Sequence, residues 1–103
     1  MPWTIWLLHL LCGALLVNGI PHLVHGLSGE PFQSPFAKPS GVGLSSPIVN
    51  VLWGFFNLFA AIALLLWRPL DTTSLIDLGA TALGALLIGL FTAQHFGRVK
   101  GNT

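Results

Sequence analysis

Three apolar runs, roughly Ile5 to Val24, Pro47 to Trp67 and Leu75 to Phe96, limit what this chain can become. Each is close to the about 20 residues that a helix needs to cross about 30 Å of hydrocarbon. In lipid a backbone has no water to bond, so each segment must satisfy its own amides, and a helix does so. The sequence therefore predicts an all-α integral membrane bundle in a single domain, residues 1–103. Its transmembrane helices are expected at about 5–24, 47–67 and 75–96, with a Pro/Gly-rich loop at 27–46 between the first two. Composition agrees: 53% of residues are hydrophobic and 7% charged, against about 25% charged in a soluble domain. Four Lys/Arg and three Asp/Glu cannot cover a water-facing surface. The lipid bilayer is thus the first partner. A net charge of +1 is too small for a nucleic-acid footprint, and no nucleic-acid partner is expected.

Local signals mark the boundaries. Ser46-Pro47 supplies an N-cap and a proline at the first helical position, where the missing N–H costs nothing. Arg68-Pro69 closes the second run. Ser74 and Asp77 have capping-box spacing, and a cap is the expectation for Asp77 over a buried functional acid. Gly97 suits a helix C-terminal cap. The first run resembles a signal peptide in length, but Met1 to Thr4 carry no Lys or Arg and no Ala-x-Ala-like site follows, so it is read as a retained span. Cys12 is the one cysteine, which leaves no intrachain disulfide to form.

Three spans put the two connections on opposite sides. Trp3, Trp6 and Trp67 gather at one face, where interfacial tryptophans sit. Lys38, Arg98 and Lys100 lie on the other, against Arg68 alone. This bias places the 27–46 loop and the C-terminus in the cytoplasm of a bacterial inner (plasma) membrane protein.

Small residues recur at packing distance. Ala85, Gly89, Ala93 and Gly97 form a ridge of period four in the third run, preceded by Ala80 and Gly84. In the second, Asn50, Gly54, Asn57 and Ala61 share one face; in the first, Asn18, His22 and His25 do. Three helices bury little of their own surface, so a homo-oligomer or a place in a larger membrane complex is expected. The loop repeats Pro31-Phe32-Gln33-Ser34 and Pro35-Phe36-Ala37-Lys38 before Pro39, which forbids helix and favours extended or turn structure. Its two phenylalanines are expected to dip into the headgroups or cover the helix ends.

The loop face collects the polar groups: Asn18, His22, His25, Asn50, Asn57 and His95, with Gln94 beside them and Glu30 above. Polar side chains inside a membrane face a bundle interior or cavity and are functional candidates. Three readings stand. In the first, these six residues line a vestibule that binds or passes a small ligand or ion. In the second, His22 and His25, three apart on one helical face, join His95 to hold a metal, with Glu30 as a further ligand. A haem variant rests on His9 and His22, thirteen apart, near the spacing used for stacked haems in membrane cytochromes, though Pro21 and the single histidine on the partner helices oppose it. In the third, the asparagines only bond across helices, at about 0.6 kcal/mol each, and the protein is a non-catalytic accessory or structural subunit.

Enzyme chemistry is not expected. The serines lack a histidine–acid partner at motif spacing, Gly41-Val42-Gly43 lacks a following lysine, and Glu30 and Asp77 fall on opposite sides. The segment Asn18-Gly-Ile-Pro-His22, with Pro31-Phe32, Pro35-Phe36, Leu44-Ser-Ser-Pro47 and Asn50-Val-Leu-Trp-Gly54 followed by Asn57, resembles small bacterial inner-membrane proteins of three spans, a family of unknown function. The resemblance implies a bacterial multi-span protein and supplies no activity or site.

Overall fold

In the computed structural model, which describes residues 2–101, three helices carry the chain: α1 (Pro2–Leu27), α2 (Pro47–Trp67) and α3 (Leu75–Val99). All three are long and apolar enough to cross a membrane. The protein is an integral membrane bundle of three transmembrane helices. Its long dimension is 40 Å, which matches the 26 residues of α1 at about 1.5 Å per residue. The loop folds back as a two-stranded antiparallel ribbon, β1 (Phe32–Gln33) on β2 (Leu44–Ser45), with Phe32 opposite Ser45 and Gln33 opposite Leu44.

Two of the expected helix starts are built as the sequence has them. Ser46 Oγ accepts from the Val49 amide at 3.2 Å and Pro47 opens α2; Ser74 Oγ accepts from the Asp77 amide at 3.2 Å and opens α3. The ends of α1 and α3 depart from expectation. α1 runs beyond 5–24 in both directions and continues through Pro21; a proline is tolerated in a membrane helix where neighbours re-satisfy the freed carbonyl. α3 does not stop at Gly97. It reaches Val99, and Gly101, at φ +76°, takes the left-handed capping position, its amide donating to the Arg98 carbonyl at 3.1 Å.

α1 is the central helix. It packs against α2 on one side and α3 on the other, while α2 and α3 scarcely meet. Close approach is made by glycines. A Cβ at Gly19 would stand 2.9 Å from the Gly54 carbonyl oxygen, and one at Gly26 would stand 2.8 Å from that of Pro47. Toward α3, a Cβ on Gly13 would fall on the Thr81 carbonyl, and one on Gly84 on the Leu10 carbonyl. With no hydrophobic drive between helices in lipid, such backbone contact is what dispersion and packing need.

The ridge Ala85, Gly89, Ala93 and Gly97 is not where α3 meets α1 most tightly. Each four-residue step advances about 40° around a helix, so three steps turn about 120°. Ala93 is accordingly exposed, and a Cβ on Gly89 would meet only Val17 Cγ1, at 3.8 Å. The inward face of α2 follows its spacing: Asn50, Gly54, Asn57 and Ala61 are all buried, and Leu52, Phe56, Phe59 and Leu66 point outward.

Candidate functional site

The site lies under the ribbon, where α1 ends, α2 begins and α3 ends. Asn50 is its anchor. Its Nδ2 donates to three backbone carbonyls, those of Phe32, Ser45 and Ser46, at 3.1–3.2 Å, so its Oδ1 must face the other way. There it accepts from His22 Nδ1 at 2.7 Å. One fully buried amide thus ties the ribbon, the start of α2 and the end of α1 together. It also fixes the neutral His22 tautomer: Nδ1 carries the proton, leaving Nε2 as a free acceptor.

One turn deeper, Asn18 Nδ2 donates to Asn57 Oδ1 at 3.1 Å, and Asn57 Nδ2 donates to the Trp53 carbonyl of its own helix at 2.8 Å. From α3, His95 Nε2 donates to the Gly41 carbonyl at 2.7 Å and pins the loop tip. Gly41 is required there twice over. Its φ is +72°, and a Cβ would stand 3.3 Å from that same imidazole nitrogen.

These ties border a half-open pocket of about 250 Å³. Its polar wall is Asn18, His22, Ser34, Ser40, Thr92 and His95, and its aromatic wall Trp53, Phe91 and Phe96. No Lys, Arg, Asp or Glu lines it. Trp53 brings an indole Nε1 that is buried and has no hydrogen-bond partner. His22 Nε2 and His95 Nδ1 likewise make no hydrogen bond among the described residues. An unmet buried donor is costly unless something else satisfies it.

The structure divides the six vestibule residues. Asn18, His22 and His95 line the cavity, whereas Asn50 and Asn57 stand behind it as supports. His25 lies outside, with Nδ1 3.1 Å from Glu30 Oε1 and its ring stacked on Phe32 at 4.3 Å. The proposed metal set of His22, His25 and His95 does not converge. Phe32 packs on both His22 and His25, at 5.4 and 4.3 Å, and His95 is taken by the loop tip. Among the described residues no three His, Cys, Asp or Glu gather around a point that would hold an ion. Of the two histidines at the stacked-haem spacing, His9 is fully buried with its Nε2 on the Arg68 carbonyl at 3.0 Å. The two loop phenylalanines diverge: Phe32 is a buried plug that also meets Phe96 at 4.7 Å, and Phe36 packs outside on Trp53 at 5.1 Å.

Two residues escaped the sequence reading. Trp53 looked like one more aromatic in an apolar run. The signal was its place, one step from the Asn50–Gly54–Asn57 face. His9, which in the sequence offers only its spacing to His22, is fully buried. Its Nε2 donates to the Arg68 carbonyl at 3.0 Å and its Nδ1 lies 3.7 Å from Asp77 Oδ2, which also accepts from the Asp71 amide at 3.2 Å. Asp77 is therefore both the cap residue expected and the acid of a second polar cluster, at the far end of the bundle.

No protein-family model matches the chain, and no curated protein or solved structure shows significant similarity to it.

Proposed function

We propose that this protein is a non-catalytic binding protein of the bacterial inner membrane that holds a small uncharged ligand in the cavity beneath its loop. The observation that carries this reading is a pocket whose lining includes two imidazoles with one nitrogen uncommitted among the described residues, His22 Nε2 and His95 Nδ1. Packing glue satisfies itself, as Asn18 and Asn57 do. A site leaves atoms over for its ligand. The lining offers no formal charge, which favours a neutral ligand over an ion.

Solvent extraction of protein purified in mild detergent, followed by mass analysis, tests this. A neutral small molecule is expected at close to one per chain, and Thr92→Phe, which fills the cavity from α3, is expected to lose it. Equal recovery from both would sink the proposal.

A second reading, that the chain works within a homo-oligomer or as an accessory subunit, draws on the outward small residues of α3. Ala93 is exposed, and a Cβ on Gly79 would meet nothing within 4 Å. Chemical cross-linking in native membranes tests it: a ladder of multiples of the chain mass, or a constant larger partner, is expected.

A further inference from the structure

Trp53 stands between two hollows of opposite character. On its inner side is the polar cavity of about 250 Å³; on its outer side is a groove of about 430 Å³ walled by Phe36, Val49, Leu52, Phe56 and Trp53 itself. The groove is wholly apolar in residue type. Leu52, Phe56 and Phe36 are 66%, 60% and 63% exposed, and in a membrane they face acyl chains. The hollows share more than the indole. Pro35 lines the inner one and Phe36, the next residue, the outer one, so the two lie side by side across Trp53 and this part of the loop.

We infer that the ligand is an uncharged amphiphile, an acylglycerol-type lipid, with its hydroxylated head in the inner cavity and its chain in the outer groove. This rests on the binding reading above and names the ligand class. The head must be neutral because no cationic or anionic side chain lines the cavity. Among nearby charges, Glu30 is held by His25, and Lys100 Nζ sits 4.6 Å above the Phe32 ring. A phosphate head would be desolvated there without an Arg or Lys partner. The head must also donate, because His22 Nε2 and His95 Nδ1 are acceptors. A ketone or ester offers acceptors alone; a hydroxyl or a diol can donate. The chain then needs an apolar bed next to the head site, and the groove on the other side of Trp53 offers one.

The test uses the full chain with Trp3, Trp6 and Trp67 changed to Phe, leaving Trp53 as the emitter, in phosphatidylcholine nanodiscs. The probe is a monoacylglycerol brominated on its chain, compared with phosphatidylcholine and a fatty acid brominated at the same carbon. The expected result is saturable quenching by the monoacylglycerol, with the other two giving only the weak, linear quenching of bulk lipid. Thr92→Phe should weaken the saturable component about tenfold, a change of about 1.4 kcal/mol. Should the three-Phe background not fold, the difference in quenching between wild type and Trp53→Phe gives the same readout. Equal quenching by all three probes would overturn the amphiphile. If the extraction yields a neutral molecule without an acyl chain, the binding reading stands and this inference falls. If neither a retained molecule nor saturable quenching is found, both fall.

Discussion

The two ends of this bundle bury polar side chains in different ways. At the turn end, His9 is closed in: one ring nitrogen is spent on the Arg68 carbonyl, the other faces Asp77 at 3.7 Å, and Asp77 also holds the Asp71 amide. Cys12 lies just below, its thiol 3.9 Å from the Ala61 carbonyl. Neither His9 nor Asp77 lines the loop-end pocket. That cluster fastens the short α2–α3 turn across the start of α1, which α2 and α3 require because they hardly touch each other. At the loop end, the same residue type is used otherwise. His22 and His95 each spend one nitrogen on structure and leave one toward a cavity. The difference is one of access: His9 Nδ1 is also without a hydrogen bond, but it is buried against Asp77, whereas His22 and His95 line a pocket, and a polar group inside a membrane is a functional candidate where a ligand can reach it.

The comparison can be broken at either end. The largest expected effect is on the central helix itself. Gly84→Leu would drive a side chain into the Leu10 backbone, and Gly13→Leu one into Thr81. Overpacking against backbone costs about 3 kcal/mol or more, so loss of the monodisperse folded species in detergent is expected for both. Next comes His9→Ala, which removes a fully buried ring and leaves the Arg68 carbonyl and Asp77 without it. A loss of about 2–4 kcal/mol in unfolding by sodium dodecyl sulfate is expected, with ligand recovery from the remaining folded protein unchanged. Asn50→Leu should cost about 1–3 kcal/mol and weaken ligand recovery as well, because the same amide orients His22 and holds the ribbon.

Trp53→Phe sharpens the contrast from the other side. It removes an N–H that has no protein partner, so unfolding should shift by less than about 0.5 kcal/mol, while ligand retention falls. The smallest effect belongs to Asp71 in the turn. Hydrogen bonds from the Thr73 hydroxyl and amide hold its carboxyl below the usual carboxylate range. A depressed folded value stabilises above the unfolded one and is lost as pH falls through the folded value. Asp71→Asn should therefore slightly lower stability at neutral pH, leave it unchanged at acid pH below the folded value, and so flatten the acid limb of the stability–pH curve.

Much of the frame was legible in the sequence because lipid makes strong demands. Run length gave the three helices, and Ser46-Pro47 and Ser74 with Asp77 gave two of their starts. The four-three-four spacing of Asn50, Gly54, Asn57 and Ala61 gave the inward face of α2. The central place of α1 was not legible. Gly13, Gly19 and Gly26 serve two different neighbours, so they show no single period, whereas the regular ridge at Ala85–Gly97 drifts away from α1. Within the site, the residue types were visible but their division was not. Whether an asparagine lines a cavity or supports its wall depends on which atom its amide spends, as Asn18 and Asn50 show. Phe32, one of two identical loop positions by repeat, separates His22 from His25 only because the ribbon register with Ser45 turns it inward.

The most direct measurement is native mass spectrometry of three proteins released from the same lipid: wild type, His9→Gln and Trp53→Phe. The account predicts a bound neutral molecule on wild type and on His9→Gln, with occupancy lost on Trp53→Phe. A bare wild-type chain, or the same retained mass on Trp53→Phe as on wild type, would contradict the claim that the open end of the bundle is a binding site.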